Sequence, residues 1–280
     1  MRVCIAGKNQ IAVDVMTRLA GRYELVCAPN PDFDDVEGWQ PSFRNAALHH
    51  GFPIVAIEEL YDDPDITLLS VEYSKLIKPS LMRSTKLYNV HFSLLPNYRG
   101  CHTAIWPILN GEREHGVTLH HIDAGMDTGD IIAQHAFRLD GMTAFEAYME
   151  CQRLGTDLAI EWIDTLVQGT PPVVKQPLEG SSYKRSQMDF SRREISLGSN
   201  LEMLFRNLRA FTFPAYQYPT LNGRDIVEFG RSSAPGLERH EASDGPAYLR
   251  FRDELAGVES DSVAAAEPIE ESPQGPTKRP

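Results

Sequence analysis

Asn89 and His91 lie two residues apart in "KLYNVHF", and Asp127 follows in "HHIDAGMDTGDII". In an extended strand residues i and i+2 share a face, so Asn89 and His91 project side by side. An imidazole with a reference pKa of about 6.5 exchanges protons near neutral pH. An amide offers an N–H to an oxygen that gains negative charge. Asp127 stands between Gly125 and Gly129, in a turn that lets backbone approach a ligand closely and can present a carboxylate to a histidine from another strand. A single strand-end histidine beside an asparagine is more often a satisfied structural pair. Asp127 shifts the balance, together with the loop "SLLPNYRGCHTAIWPILNG", which Pro96 and Gly100 shape.

Such residues need elements to position them. "RVCIAG", "YELVCAP", "ITLLSVEY" and "KLYNVHF" read as buried strands, with "PIVAI" as a further short one. Helical patterns follow the first two, through Ile11, Val15, Met16 and Leu19 and over "FRNAALHHG". The alternation predicts an α/β fold with a doubly wound, Rossmann-like, mostly parallel sheet, in which ligands bind where the parallel strands end. "GVTLHHID" and "DIIAQHAFRL" are close enough to form a strand pair at its far side. Thr143 and Glu146 form a capping box that opens a long helix, which Gly169 stops. "GTPPVVKQP" then marks a boundary. The expected units are a catalytic domain over 1–170, a small C-terminal domain over 171–253 and a disordered, acidic, Pro-rich tail over 254–280.

The net charge of −12 argues against a sequence-independent nucleic-acid binder, which needs clustered cations. Lys184, Arg185, Arg192 and Arg193 nonetheless form a local basic group. Cys4, Cys27, Cys101 and Cys151 include no CxxC pair and read as reduced thiols. The N-terminus passes directly into a strand and no apolar run reaches membrane length, so the expectation is a cytoplasmic protein without membrane contact. "AGKNQIAV" after the first strand lacks G-x-G-x-x-G, which disfavours NAD. The histidines lack zinc spacing, so no metal is expected. His120 and His121 are adjacent on a strand, face opposite sides and read as surface or packing residues.

Taken together, Asn89, His91, "SLLP" at 93–96, "YRG" at 98–100 and "MDTGD" at 126–130 resemble the folate-dependent formyltransferase family over roughly residues 1–170. A small departure is His115–Gly116, where the family often has Thr-Gly. The resemblance implies formyl transfer from 10-formyltetrahydrofolate to an amine. Asn89 and His91 then serve as donors to the oxygen, His91 also as base, and Asp127 as the group that orients it. One His91 nitrogen cannot donate and accept at once, which leaves its dominant role open. The resemblance further implies a folate site formed by Lys75, Leu76 and Ile77, by Ser93, Leu94, Leu95 and Pro96, and by Ile122, Asp123 and Asp127.

The stretch "MLFRNLRAFTFPAYQYPTLNGRDI" is similar to sugar-nucleotide N-formyltransferases, closest to those acting on dTDP- or GDP-linked amino-dideoxy sugars. That resemblance implies an acceptor site in which Arg206 and Arg209 pair with pyrophosphate and Phe213, Tyr216 and Tyr218 line a pocket. His102, Thr103 and Trp106 approach from the loop after the catalytic strand, and the second domain is a plausible dimer contact. The alternatives are a methionyl-tRNA or hydroxyornithine-type formyltransferase and, outside enzymes, a folate-binding module. The short, acidic C-terminal segment weighs against the RNA substrate.

Overall fold

A computed structural model describes residues 1–31 and 38–253; the expected tail over 254–280 lies outside the described residues. The first sheet is built from β1 (Arg2–Gly7), β2 (Glu24–Pro29), β3 (Thr67–Val71) and β4 (Leu87–His91). The helices α1 (Asn9–Leu19) and α2 (Phe43–His49) connect β1 to β2 and follow β2. β1, β3 and β4 are buried along most of their length, as strands covered on both faces must be, with Asn89 and His91 standing out as polar residues in β4. After the short β5 (Arg99–Gly100) and α3 (Trp106–Leu109) come β6 (Glu114–His121) and β7 (Ile131–Arg138). The sheet order is β2-β1-β3-β4-β6-β7, with the first four strands parallel and the last two antiparallel to their neighbours. "PIVAI" contributes only a bridge between Ile54 and Cys27, because the chain turns into a short 3-10 helix at Ile57.

The helix α4 (Ala144–Gln168) packs against β4, β6 and α1. Its N-terminus has the reciprocal Thr143–Glu146 capping box, and Gly169 closes it with φ 81°. At Gly155 a β-carbon would come within 2.9 Å of Ile11 and 3.1 Å of Val90, so a glycine there lets helix and sheet approach.

Beyond α4 the chain first returns to the α/β unit. Val174 bridges Ile131, and β8 (Ser182–Tyr183) pairs in parallel with β5. A separate layer follows: α5 (Leu201–Phe211) lies on an antiparallel sheet of β9 (Thr220–Leu221), β10 (Arg224–Gly230), β11 (Glu238–Ala242) and β12 (Gly245–Phe251). Leu204, Leu208, Ile226, Leu249 and Phe251 form its core. Ala210 and Phe211 of α5 join Ile108 and Leu139 in a cluster that attaches this layer to the first unit. Among the described residues no helix is long and apolar enough to cross a membrane.

Replacing Thr143 by Ala removes the side-chain oxygen that accepts from the Glu146 N–H. The expected loss is about 1 kcal/mol in unfolding free energy, read from urea denaturation, with an unchanged m-value.

Candidate active site

β4 carries Asn89 and His91 to the end of the sheet, next to antiparallel β6, in register Asn89↔His120 and His91↔Thr118. This pairing brings in a residue whose role the sequence reading misplaced. His120 is buried, not a surface or packing residue apart from the site. Its Nδ1 lies 2.8 Å from the carbonyl oxygen of His121 and therefore carries the proton. Nε2 is thus the acceptor, 3.1 Å from Asn89 Nδ2. One amide hydrogen of Asn89 is held by His120, and the second is left for another acceptor. Burial is the main cause that lowers the His120 pKa to about 4, with Asp127 opposing it, so the ring is neutral and suited to accept.

His91 is also buried. Its Nε2 lies 2.8 Å from the carbonyl oxygen of Tyr98, so Nε2–H donates there. This settles which nitrogen is available: in the neutral ring only Nδ1 can take a proton. Nδ1 faces Asp127 Oδ2 at 3.6 Å, too far for a hydrogen bond yet close enough to stabilise a charged ring. Asp127 Oδ1 is 3.8 Å from His120 Nε2.

Asp127 has φ 55°, and its Oδ2 accepts from the Gly100 N–H at 2.9 Å. Gly100 itself has φ 93°, and a β-carbon there would fall 2.2 Å from the Tyr183 carbonyl oxygen. At Gly129 a β-carbon would lie 1.8 Å from the His121 carbonyl, so "MDTGD" folds tightly against β6 only with glycine there. Asp123 accepts from Gly125 N and Thr128 Oγ1, a role in shaping the turn. The turn is also held from outside: Gln176 Nε2 donates to the carbonyls of Asp127 and Gly129, and Arg99 Nε donates to Gln176 Oε1 at 2.7 Å. Arg99 further donates to the Pro177 carbonyl. Sequence reasoning missed Gln176 and gave Arg99, inside the "YRG" motif, no role; the signal for Gln176 was a polar residue within the Pro-rich "TPPVVKQP".

The remaining candidates divide. Ser93 is fully buried and donates to the Asn97 carbonyl, while Leu95 N and O are taken by Thr118 and Gln134. Ser93 through Pro96 thus brace the loop beside β6, and Leu94 packs close to Gly116. Leu76 is exposed and Ile77 buried in the loop after β3, which also holds Lys75. Ile77 and Ile122 join one apolar cluster with Leu87, so residues of the loops after β3 and β6 pack over the same face of the sheet. Trp106 stacks on Tyr183 at 4.4 Å, and His102 meets Phe190 edge-on at 5.4 Å. Among the described residues buried Trp106 Nε1 and His102 Nε2 have no hydrogen-bond partner, and Thr103 lies in the turn between those two. Phe213 and Tyr216 belong to an aromatic wall with Trp39, Phe145 and Tyr148.

The contacts of three candidates point elsewhere. Arg206 pairs with Glu202 and lies against Gly111, and Arg209 Nη1 points to the carbonyls of Leu139 and Met142, both at 3.4 Å. Both cations lie where α5 meets the first unit. The Tyr218 ring faces Arg252 at 4.9 Å rather than joining Phe213 and Tyr216. Among the described residues no group of three His, Cys, Asp or Glu side chains could hold a metal ion.

His115 and His120 share a consequence for stability. Burial lowers both to about 4, against about 6.5 in an unfolded chain. Between those values the unfolded state binds the protons and the folded state does not, so stability falls as pH drops from about 6.5 to 4. Denaturant unfolding at pH 7 and pH 5 should show this loss, and His120→Gln should lessen it.

The family model described as "Formyl transferase" matches residues 31–155. The chain is 30% identical to the methionyl-tRNA formyltransferase of Synechococcus sp. (strain JA-3-3Ab), over 85% of this chain and 79% of that relative. It is 34% identical to the methionyl-tRNA formyltransferase of Clostridioides difficile (strain 630), over 70% of this chain and 71% of that one. Among solved structures it is similar to WlaRD, a sugar 3N-formyl transferase with dTDP and 5-N-formyl-THF: TM-score 0.83, 32% identity, covering 90% of this chain and 98% of that one. The N-formyltransferase of Helicobacter canadensis, with folinic acid and dTDP-3-aminofucose, gives TM-score 0.81 at 30% identity, covering 89% and 98%. A strand-end Asn–His pair facing a glycine-bounded Asp, on a sheet that these enzymes share, places the chain in the folate-dependent formyltransferase family.

Proposed function

We propose that this formyltransferase takes its formyl group from 10-formyltetrahydrofolate and passes it to the primary amine of a nucleotide-linked amino-dideoxy sugar. The observation that carries the acceptor class is the extent of the likeness to WlaRD, which runs through both the α/β unit and the small antiparallel sheet. The curated relatives keep a second reading in play, with methionyl-tRNA as acceptor. The net charge of −12 favours the small acceptor, because a polyanionic RNA meets repulsion from an acidic surface.

The donor would lie between the loop after β3 and the "MDTGD" turn. Exposed Leu76 and Met126 offer apolar surface there, beside backbone that is free of sheet pairing, which suits a flat ring with a polar edge. When bound, the donor supplies an electrophilic formyl carbon. Asn89 keeps one amide hydrogen for the formyl oxygen while His120 holds the other. His91 Nδ1 collects the proton that the amine loses as its bond to the formyl carbon forms, the charged ring lies between the Tyr98 carbonyl and the Asp127 carboxylate, and a proton goes to the folate nitrogen as its bond to that carbon breaks. Asp127 thereby stabilises the protonated base, and Gly100 keeps its carboxylate in place.

An Asn89→Ala variant should lose about 10²–10³ in turnover and His91→Ala about 10²–10⁴, with melting close to wild type. Near-normal rates for both would overturn these roles. For His120, Leu leaves the Asn89 amide unheld and should cost more than an order of magnitude, whereas Gln restores an acceptor and much of the rate. The acceptor is tested by tetrahydrofolate release with TDP-, UDP- and GDP-linked amino sugars beside methionyl-tRNA. Turnover with the RNA alone would reject the sugar reading.

A further inference from the structure

Beside the catalytic strand end stands a polar cluster that formyl transfer leaves unused. Glu72 directly follows β3, whose last residue Val71 pairs with Val90, and its left-handed backbone turns the side chain toward α4, where Val90 and Phe92 also pack. Its carboxylate accepts from Tyr148 Oη at 2.9–3.0 Å, and from Asn9 Nδ2 and Gln152 Nε2, each at 3.3 Å. Asn9 and Gln152 also donate to Tyr148 Oη, both at 2.9 Å, and Gln152 is joined in turn to Gln40.

This arrangement is costly. All three hydrogen-bonding partners are neutral, and burial raises the Glu72 pKa, only partly offset by the Lys8 charge and the hydrogen bonds. Neither Asn9 nor Glu72 is glycine, yet their φ values are 62° and 58°. Left-handed conformations of non-glycine residues are strained and gather at functional sites. A brace between α4 and the sheet would need neither a carboxylate nor this strain.

Two details point outward to a ligand. Tyr148 has a single hydroxyl hydrogen, shared between both carboxylate oxygens, and among the described residues Oε1 has no other hydrogen-bond donor. That oxygen keeps spare accepting capacity while the residue retains partial access to solvent. The place is also the point where the strand order reverses: Asn9 lies just past β1 and Glu72 just past β3, with β2 to one side and β4 to the other. Open α/β sheets bind ligands at such a point. The wall beside it is aromatic. Tyr148 lies 5.6 Å from Phe213, which meets Trp39 and Tyr216 at 5.4 and 5.3 Å, and both of these are exposed.

A carboxylate oxygen with capacity to spare, next to an apolar ring surface, is how proteins hold a polyhydroxylated ring. We propose that Glu72 determines acceptor specificity: Oε1 accepts a hydrogen bond from a sugar hydroxyl, and the aromatic wall packs on the sugar's apolar face. This rests on the amino-sugar reading above.

The test compares wild type, Glu72→Ala and Glu72→Gln on the amino-sugar nucleotide that turns over and on its deoxy counterpart. Melting temperature and folate binding serve as controls. In Glu72→Ala, KM for the hydroxylated sugar should rise at least about tenfold with kcat changed little. The preference for the hydroxylated over the deoxy acceptor should collapse toward one. Glu72→Gln keeps an acceptor oxygen and the shape of the network, so it should recover part of the preference, and it carries the test if the Ala variant does not fold. Unchanged KM and preference in the variants, with only a lower melting temperature, would make Glu72 a structural brace and overturn the proposal while leaving the acceptor class intact. If wild type uses no amino sugar at all, the acceptor reading falls first, and the hydroxyl assignment with it.

Discussion

The hydrogen bond from the Gly100 N–H to Asp127 Oδ2 is the contact on which the assembly of the site depends. It joins two loops that leave different strands, one after β4 and one between β6 and β7. Without it the Asp127 carboxylate, in a left-handed turn, would be free to swing into water and away from His91. The bond in turn needs Gly100, because the β8 backbone passes where any side chain would stand. Three segments distant in sequence therefore meet at one backbone amide.

Around that contact the protein spends polar groups on orientation. His120 faces Asn89, Tyr98 offers its carbonyl to His91, and Gln176 ties the Asp127 turn to Arg99. Each removes a freedom that would blur the chemistry: the amide cannot flip, the imidazole cannot change tautomer without losing a bond, and the turn cannot open. Preorganised donors are effective because they need not reorient as charge develops. The mixed sheet makes this possible. β4 has a parallel neighbour on one side, which pairs Ser70 with Asn89, and an antiparallel one on the other, which sets His120 opposite Asn89.

The fold was legible in the sequence because its signals are local. Buried strands alternate with helical patterns, and the Thr143–Glu146 box and Gly169 mark both ends of α4. The Asn89–His91 pair was legible through the two-residue period of a strand. His120 was not, since its adjacent His121 suggested two rings pointing apart and nothing local reveals which strand lies opposite. The contacts of Arg206 and Arg209 were illegible for a related reason: a cation near aromatic residues looks the same in sequence whether its partner is a phosphate or a backbone carbonyl. Glu72 stood in view in "VEYSKLIKP", but neither its strained backbone nor its contact with Tyr148, 76 residues later, is written in that stretch.

The sequence alone determined the chemical parts: an amide, an imidazole and a carboxylate, and the glycines that permit close approach. Residue type and short spacing decide these, and both survive in an unfolded chain. Tertiary structure decided which atoms act. Only the folded sheet sets His91 Nε2 against the Tyr98 carbonyl, leaving Nδ1 as the nitrogen able to take a proton, and only the β4–β6 register gives Asn89 its partner. Hydrogen bonds and burial at these positions arise between segments far apart in sequence, so their outcome exists only once the chain has closed around them.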